Sequence, residues 1–444
     1  MAISNLSTFV GHLEQSPLLQ AAQRSELLRV LRKKFQDVRS LARELINRDW
    51  LTPYQVNQLL QGNGAELVMG DYILLERLGE GGMGKVYKAR HRRMGRMVAL
   101  KILRSNLLNN EVAVKRFTRE MRAASKLDHP NIVRALDADV IGDSHYLAME
   151  FINGTDLSRL IKRDGPMKPH QACDYIRQAA MGLQHAHEQG LVHRDIKPAN
   201  LLLSHELERP SKNGSNEFKR PYLGKWGVLK ILDMGLARIV PQGGFESGTE
   251  LTQMGVVMGT PDFIAPEQAR DSKKTDVRSD LYSLGCTLYY LLTARVPFPQ
   301  GTVTEKLLHH QLDDPAPVED VRRKQLYIRG MDPKEIKYLS NKVSDIVRIL
   351  MAKKPEDRFQ EPKDLVEAIS DLLKPGKAIS TGSNPKQTPL PVKRKKPAVA
   401  QPVGTHPIHD SSNDTPITLA VAEETPIIEK TKKKKGFWQR LFSR

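Results

Sequence analysis

The chain has 444 residues, a hydrophobic fraction of 39% and a formal net charge of +18. That length exceeds one ordinary domain, and that hydrophobic fraction is enough for a real core with a polar remainder, so two or three units with linkers are expected. The charge calls for an acidic partner only if it is concentrated: residues 1–70 carry 8 basic and 6 acidic side chains, whereas residues 375–444 carry 13 and 5, so the excess is densest in the tail and a nucleic-acid-binding core is not the first reading.

The start, MAISNLSTFVGHLEQ, has no positive stretch followed by an apolar one, so no signal peptide is expected. Residues 16–61 show helical periodicity. Ser16-Pro17 reads as an N-cap and first turn, and Leu27, Leu28, Leu31, Phe35, Val38, Ala42, Leu45 and Ile46 recur at spacings of three and four. Thr52-Pro53-Tyr54-Gln55 is a second start, with Thr as N-cap, Pro first and Gln third, and Leu51 and Val56 placed as a staple. A helical hairpin packed on the next domain is expected over residues 1–70, or else a docking or dimerisation module. From Tyr72 the pattern turns strand-like: Tyr72–Leu75, Val86–Ala89, Val98–Ile102, Ile132–Leu136 and Tyr146–Phe151, with a helix over Val112–Leu127. Beyond Asp156 helical periods dominate, which predicts a strand-rich lobe followed by a helical one. Leu281–Ala294 is uncharged and apolar but too short to span a bilayer, so it reads as a buried helix. Cys173 and Cys286 sit in apolar contexts and read as buried, reduced thiols in a cytosolic compartment, with no disulfide framework and no zinc cluster. Pro375 to Arg444 holds nine prolines and runs of like charge, and reads as a disordered tail.

The chemistry-bearing residues fall in a fixed order. Gly79-Glu80-Gly81-Gly82-Met83-Gly84-Lys85-Val86, preceded by Leu78, fits G-x-G-x-x-G-x-V between two strands. On the residues alone it is a phosphate cradle, whose bare backbone lets N–H groups approach an anion, or an ordinary turn. Its setting argues against a dinucleotide fold and a Walker loop. Lys101 ends an apolar strand and needs a partner or an anion; Glu120, within the Val112–Leu127 helix, is the partner expected. His193-Arg194-Asp195 lies five residues before Asn200, and Asp233-Met234-Gly235 and Ala265-Pro266-Glu267 follow. Carboxylate and carboxamide oxygens at loop ends suit Mg²⁺.

Together these motifs resemble the protein-kinase signature, in order and at kinase-like spacing, over about residues 71–373. The style of GEGGMGKVYKA and HRDIKPAN resembles bacterial eukaryotic-like (Hanks-type) serine/threonine kinases. The resemblance implies an α+β, two-lobed protein-kinase fold: an antiparallel β-rich N-lobe over about 71–152, a helical C-lobe over about 153–373, a helical N-terminal extension (1–70) and a disordered, Pro-rich basic tail (374–444). It implies ATP and Mg²⁺, protein substrates with Ser or Thr acceptors, and a role in signal transduction. Asp195 would accept the hydroxyl proton, Lys197 contact the γ-phosphate, Lys101 with Glu120 hold the α- and β-phosphates, and Asn200 and Asp233 bind the metal. Thr260 would brace Asp195 and Lys197. Val86 and Ala99 would cover the adenine and Leu202 floor it. Met149 would be the gatekeeper, with Glu150 and Ile152 meeting the base through backbone groups and Asp156 reaching the ribose. Arg194 would receive a phosphate on the loop Leu236–Met258, with Thr252 preferred over Ser247 and Thr249, and Met254 standing where relatives often carry a second threonine. Glu267 should pair with Arg358, and Asp280 should tie the catalytic loop. A pseudokinase scaffold and a small-molecule kinase are the rivals. The insert 204–227 is long and polar and reads as disordered surface, with a functional loop as the alternative. Lys432–Lys435 with Phe437, Trp438, Leu441 and Phe442 suggest peripheral attachment to the inner face of an anionic membrane through 432–444. No base-reading element accompanies Lys393–Lys396, so no specific nucleic-acid partner is expected.

Overall fold

Apolar side chains at helical spacing organise the first seventy residues into short helices around a core of their own. In the computed structural model, which describes residues 5–81, 84–103, 125, 127–141, 144–205, 226–233, 261–271, 275–332 and 339–374, these are α1 (Leu6–Gln15), α2 (Ala21–Glu26), a π-helical turn (Leu27–Leu31) running into α3 (Arg32–Lys34), α4 (Val38–Asn47) and α5 (Pro53–Leu60). Phe9, Leu13, Leu27, Leu31, Leu41, Leu45 and Leu59 are buried together. Side chains cap the helix starts: Asn5 accepts from the Ser7 N–H at 2.8 Å and Asp37 from Ser40 at 2.9 Å. Thr52 and Gln55 form the expected reciprocal box at α5, behind Pro53. Leu51 and Val56 are both buried in this core, as a staple requires. Two expectations fail. Ser16 does not start a helix; its N–H donates to the His12 carbonyl and closes α1, and α2 begins after Gln20. The reason is that Leu18 and Leu19 are both buried, so the chain must turn between α1 and α2 to direct both inward. A hairpin is also too simple, because α1 adds a helix before the periodic stretch.

Among the described residues, the sheet that follows is antiparallel and six-stranded, in the order β1-β2-β3-β4-β6-β5. Its strands are β1 (Val68–Met69), β2 (Tyr72–Gly81), β3 (Gly84–His91), β4 (Met97–Leu103), β5 (Ala135–Ile141) and β6 (Ser144–Glu150). The strand expected at Ile132–Leu136 begins three residues later. Ile132 is buried in the core of the other lobe and makes a parallel bridge to Ile231. Most of the helix expected at Val112–Leu127 lies outside the described residues.

The helical lobe contains α6 (Leu157–Asp164), α7 (Pro169–Glu188), α8 (Pro266–Arg270), α9 (Val277–Thr293), α10 (Val303–Leu312), α11 (Val318–Ile328), α12 (Asn341–Leu350) and α13 (Pro362–Leu373). A small sheet, β7 (Gly154–Asp156), β8 (Leu201–Ser204) and β9 (Leu229–Ile231), lies at its edge. Helix α9 is buried nearly all round, which is why its sequence shows no polar face. Gly285 lets α12 close on it: a Cβ there would stand 2.7 Å from the Leu350 Cβ. Cys173 and Cys286 are free and buried, and burial pushes the Cys173 thiol up to about 12. Among the described residues no helix is long and apolar enough to cross a membrane.

Candidate active site

The glycine stretch is the tip of the β2–β3 hairpin. Gly79 pairs with Val86, Glu80 with Lys85 and Gly81 with Gly84. Gly82 and Met83 lie outside the described residues. Arg77 and Glu80 form an ion pair on the hairpin, and Leu78 is 37% exposed. A Cβ on Gly84 would collide with the Ile102 carbonyl, so the β3–β4 contact itself requires glycine. On β4, Ala99 pairs with Met149, which is buried with Leu103 and Leu147. Lys101 is only 6% exposed, and its ammonium lies 2.8 Å from Asp233 Oδ1. A lysine so buried requires such a counter-charge. Glu120, the partner expected from sequence, lies outside the described residues.

The opposite wall is the loop between α7 and β8. His193 and Arg194 donate their backbone N–H groups to the Asp280 carboxylate of α9 at 2.8 and 2.7 Å, so Asp280 ties the loop as expected. Burial pushes the Asp280 carboxyl above its ordinary value, opposed by His193 and the two N–H donors. The Asp195 N–H donates to His193 Nδ1 at 3.2 Å, which puts the imidazole proton on Nε2, 2.8 Å from the Leu232 carbonyl. His193 therefore joins the Asp195 loop to the residue preceding Asp233. Arg194 and Asp233 both adopt left-handed backbone, with φ of 67° and 56°. Such strain in non-glycine residues persists only where surrounding contacts enforce it.

Asp195 receives Lys197 Nζ at 2.9 and 2.7 Å on its two oxygens. Asn200 Nδ2 donates to the Asp195 carbonyl at 2.8 Å and to Oδ2 at 3.0 Å. The Leu232 N–H in turn donates to the Asn200 carbonyl at 2.9 Å. Contacts thus run without a break from Lys101 through Asp233, Leu232 and His193 to Asp195, Lys197 and Asn200. Because the Asn200 amide nitrogen is spent on Asp195, its oxygen is directed elsewhere. That oxygen and the Asp233 carboxylate, 38% exposed, are hard donors of the kind Mg²⁺ takes. Among the described residues no three His, Cys, Asp or Glu side chains form a metal cage. An ion here would complete its shell from water and ligand phosphates, which is how magnesium is usually held.

Sequence reasoning missed several supports. Glu150 accepts from Lys230 Nζ at 2.7 Å and from the Arg134 N–H at 3.0 Å, fixing β6 against β9. Asn131 donates to the Leu229 carbonyl at 2.8 Å and to Gln178 at 3.1 Å; Gln178 accepts from the Leu229 N–H at 2.9 Å and donates to Asp174 at 3.0 Å. This buried network anchors β9, the strand that delivers Asp233. The only hint in sequence is polar residues within apolar surroundings. The Glu267–Arg358 pair is present, bidentate at 2.7 and 2.9 Å, with Arg358 fully buried over the Tyr282 ring. Burial alone would raise the Glu267 carboxyl; Arg358 and Ser279 outweigh it and hold it below the usual range.

Asp156 caps α6, accepting from the Arg159 N–H at 2.9 Å, and its Cα lies opposite Leu202 in the β7–β8 ladder. Ile152 is half-buried just before β7. Thr260, Met234, Met254, Ser247, Thr249, Thr252, most of the insert 204–227 and the tail beyond Lys374 lie outside the described residues.

Residues 72–369 match the family described as Protein kinase domain. The serine/threonine-protein kinase pkn3 of Myxococcus xanthus is 37% identical over 241 residues, covering 54% of this chain and 41% of that protein. The serine/threonine-protein kinase PknB of Mycobacterium tuberculosis is 32% identical over 342 residues, covering 72% and 48%. The chain spans under half the length of these relatives. Among solved structures, the Mycobacterium tuberculosis PknI kinase domain aligns with a TM-score of 0.47 at 20% identity, covering 68% of this chain and 97% of that one. The matched interval holds the glycine hairpin, the buried lysine, the Asp195 loop and the Glu267–Arg358 pair, and the chain belongs to the protein kinase family, with its β-rich first lobe and helical second lobe.

Proposed function

We propose that the chain is a serine/threonine protein kinase that transfers the ATP γ-phosphoryl group to hydroxyls of protein substrates. The observation that carries this is the placement of Asp195 between Lys197 and Asn200, in a loop linked by His193 and Leu232 to the Asp233 that meets Lys101. In that frame a substrate hydroxyl approaches Asp195, its oxygen attacks the γ-phosphorus, the bond to the β–γ bridging oxygen breaks, ADP leaves and Asp195 takes the proton. Lys197 steadies the carboxylate and presents its charge toward the γ-phosphate. Lys101 supplies charge for the α- and β-phosphates, and backbone N–H groups of the hairpin tip cover them. Asn200 and Asp233 would hold Mg²⁺, whose contribution is to neutralise charge on the β- and γ-oxygens. Glu120 as the partner of Lys101, Thr260 as a brace on Asp195 and the adenine contacts of Val86, Ala99, Met149, Glu150, Ile152 and Leu202 belong to the same reading.

The presence of Lys101, Asp195, Asn200 and Asp233 together disfavours a pseudokinase scaffold, and Ala265-Pro266-Glu267 favours protein over small-molecule acceptors. Activation by autophosphorylation, first at Thr252 with Arg194 receiving the phosphate, follows from the same resemblance. The test is incubation with labelled ATP and Mg²⁺ beside Asp195→Asn, with phosphosites mapped. Label on serine or threonine in the wild type, lost in the variant, is expected; equal labelling of both refutes the role of Asp195. A second proposal concerns 432–444, whose four lysines and aromatic residues suit an anionic bilayer at the inner membrane face. Co-sedimentation with anionic vesicles, with and without that segment, must differ for it to stand.

A further inference from the structure

The family match begins at residue 72, so it assigns nothing to the helices before it. Those helices grip the strand that carries the glycine hairpin. Strand β2 has an irregularity between Leu74 and Glu76: Leu74 faces Ala89, Glu76 faces Lys88, and Leu75 is the extra residue of a bulge. A bulge leaves its extra residue unpaired in the ladder. The Arg92 N–H donates to the Asp71 carbonyl at 2.7 Å, which fixes the alternation of hydrogen-bonded pairs. By that alternation the Leu74 carbonyl faces away from β3, to the edge of the sheet beyond the end of two-residue β1. Two consecutive carbonyls thus lack ladder partners.

Helix α5 satisfies both. Gln55, 2% exposed, donates Nε2 to the Leu74 carbonyl at 2.8 Å. The Thr52 hydroxyl donates to the Leu75 carbonyl at 2.5 Å. The same two residues cap α5: Gln55 Oε1 accepts from the Thr52 N–H at 2.9 Å, which fixes the amide orientation, and Thr52 Oγ1 accepts from the Gln55 N–H at 3.2 Å. Ile73 of β2 is buried in the helical core, and Tyr54 lies 6.0 Å from Tyr87 of β3, centroid to centroid. A second register shift, between Arg77 and Gly79, follows immediately. The glycine tip therefore hangs from a strand whose regular ladder is broken twice, and the first break is held from outside the sheet.

We propose that the N-terminal helices brace the glycine-rich strand, and that Thr52 and Gln55 are positioning residues for nucleotide binding, acting through the carbonyls of Leu75 and Leu74. With the donors removed, the bulge gains freedom to shift along β3, and a slip of one residue turns every side chain of the strand to the other face. The groups displaced are the N–H donors of the hairpin tip, so nucleotide binding suffers before substrate-protein binding does. This rests on the nucleotide role of the hairpin proposed above.

The test uses the full chain with Thr52→Val, Gln55→Met and the double variant. Exposed Asn57→Ala on the same helix is the control, and Thr52→Ser restores the hydroxyl. Affinity is measured with a fluorescent ADP analogue, alongside KM for ATP and for an acceptor peptide, kcat and thermal unfolding. Expected is a roughly tenfold weakening of nucleotide affinity and a matching rise in KM for ATP, with peptide KM and kcat within about twofold and recovery in Thr52→Ser. Nucleotide affinity unchanged in the double variant overturns the proposal. So does a uniform fall in all parameters that tracks the melting temperature, which is the mark of a merely structural contact. Asp195→Asn in the same assays separates the levels: loss of turnover there, with normal affinity in the double variant, sinks the brace and leaves the catalytic assignment standing.

Discussion

His193 couples two loops through one imidazole. Its Nδ1 accepts from Asp195 and its Nε2 donates to Leu232, so the aspartate of one loop and the approach to the Asp233 of the other share a single rigid group. His193→Leu removes both contacts while keeping an apolar shape. The expected result is a fall in kcat of about 100-fold from misplacement of groups that remain chemically intact, with acceptor-peptide KM little changed; steady-state kinetics on the purified variant checks this. His310 behaves differently. It is buried, hydrogen-bonded to Tyr282 and near Lys353, and burial first, then Lys353, pushes it down to about 3 from its ordinary 6.5. The unfolded chain therefore binds a proton that the fold excludes, and stability rises with pH from about 3 to 6.5. Between pH 7 and pH 5 this one group should cost about 2 kcal/mol. Urea unfolding at both pH values measures it, and His310→Gln should be less sensitive by that amount.

Among the elements, the contact between Glu267, at the start of α8, and Arg358, just before α13, spans the helical lobe. Arg358 also donates to the carbonyls of Ala352, Arg278 and Lys353 at 2.7, 2.9 and 3.0 Å. Arg358→Met leaves the half-buried Glu267 carboxylate and three carbonyls without that guanidinium, and removing one partner of such a buried pair costs about 3–5 kcal/mol. Denaturant unfolding should report a loss of that size. The sign with pH is also fixed. The Glu267 carboxyl is lowered from 4.5 in the fold, so its contribution is present above that value and fades as pH falls through the folded value. The acid limb of the wild type should therefore be the steeper. Glu267 and Arg358 were legible in sequence because each sits in a short motif. So was α5, whose Thr52-Pro53-Tyr54-Gln55 carries its own start. The first helix went unread, although Asn5 offers a cap and Phe9, Val10 and Leu13 a buried face. Ser16 misled because a serine–proline pair marks a chain reversal as readily as a helix start. The Asn131–Gln178–Leu229 network was invisible because its members lie 47 to 98 residues apart, and nothing local distinguishes such a glutamine from a surface one.

At the scale of the whole chain, the described flanks of the insert fix where it leaves and where it returns, and the two points are one place. The Ser204 N–H donates to the Val228 carbonyl at 2.9 Å, the His205 N–H to Asn153 at 2.8 Å, and Tyr175 holds the Trp226 carbonyl at 3.0 Å. Both ends of residues 206–225 are thus pinned beside one another by the β8–β9 ladder and α7. Closing a loop between fixed ends depends weakly on its length, each doubling costing about 0.6 kcal/mol. Replacing 206–225 with a short glycine–serine bridge should leave unfolding free energy within about 1 kcal/mol of the wild type, with labelling by ATP retained. It follows that this seam is a port: a fluorescent protein or an affinity handle can be spliced into the chain there, reporting on the kinase domain from within.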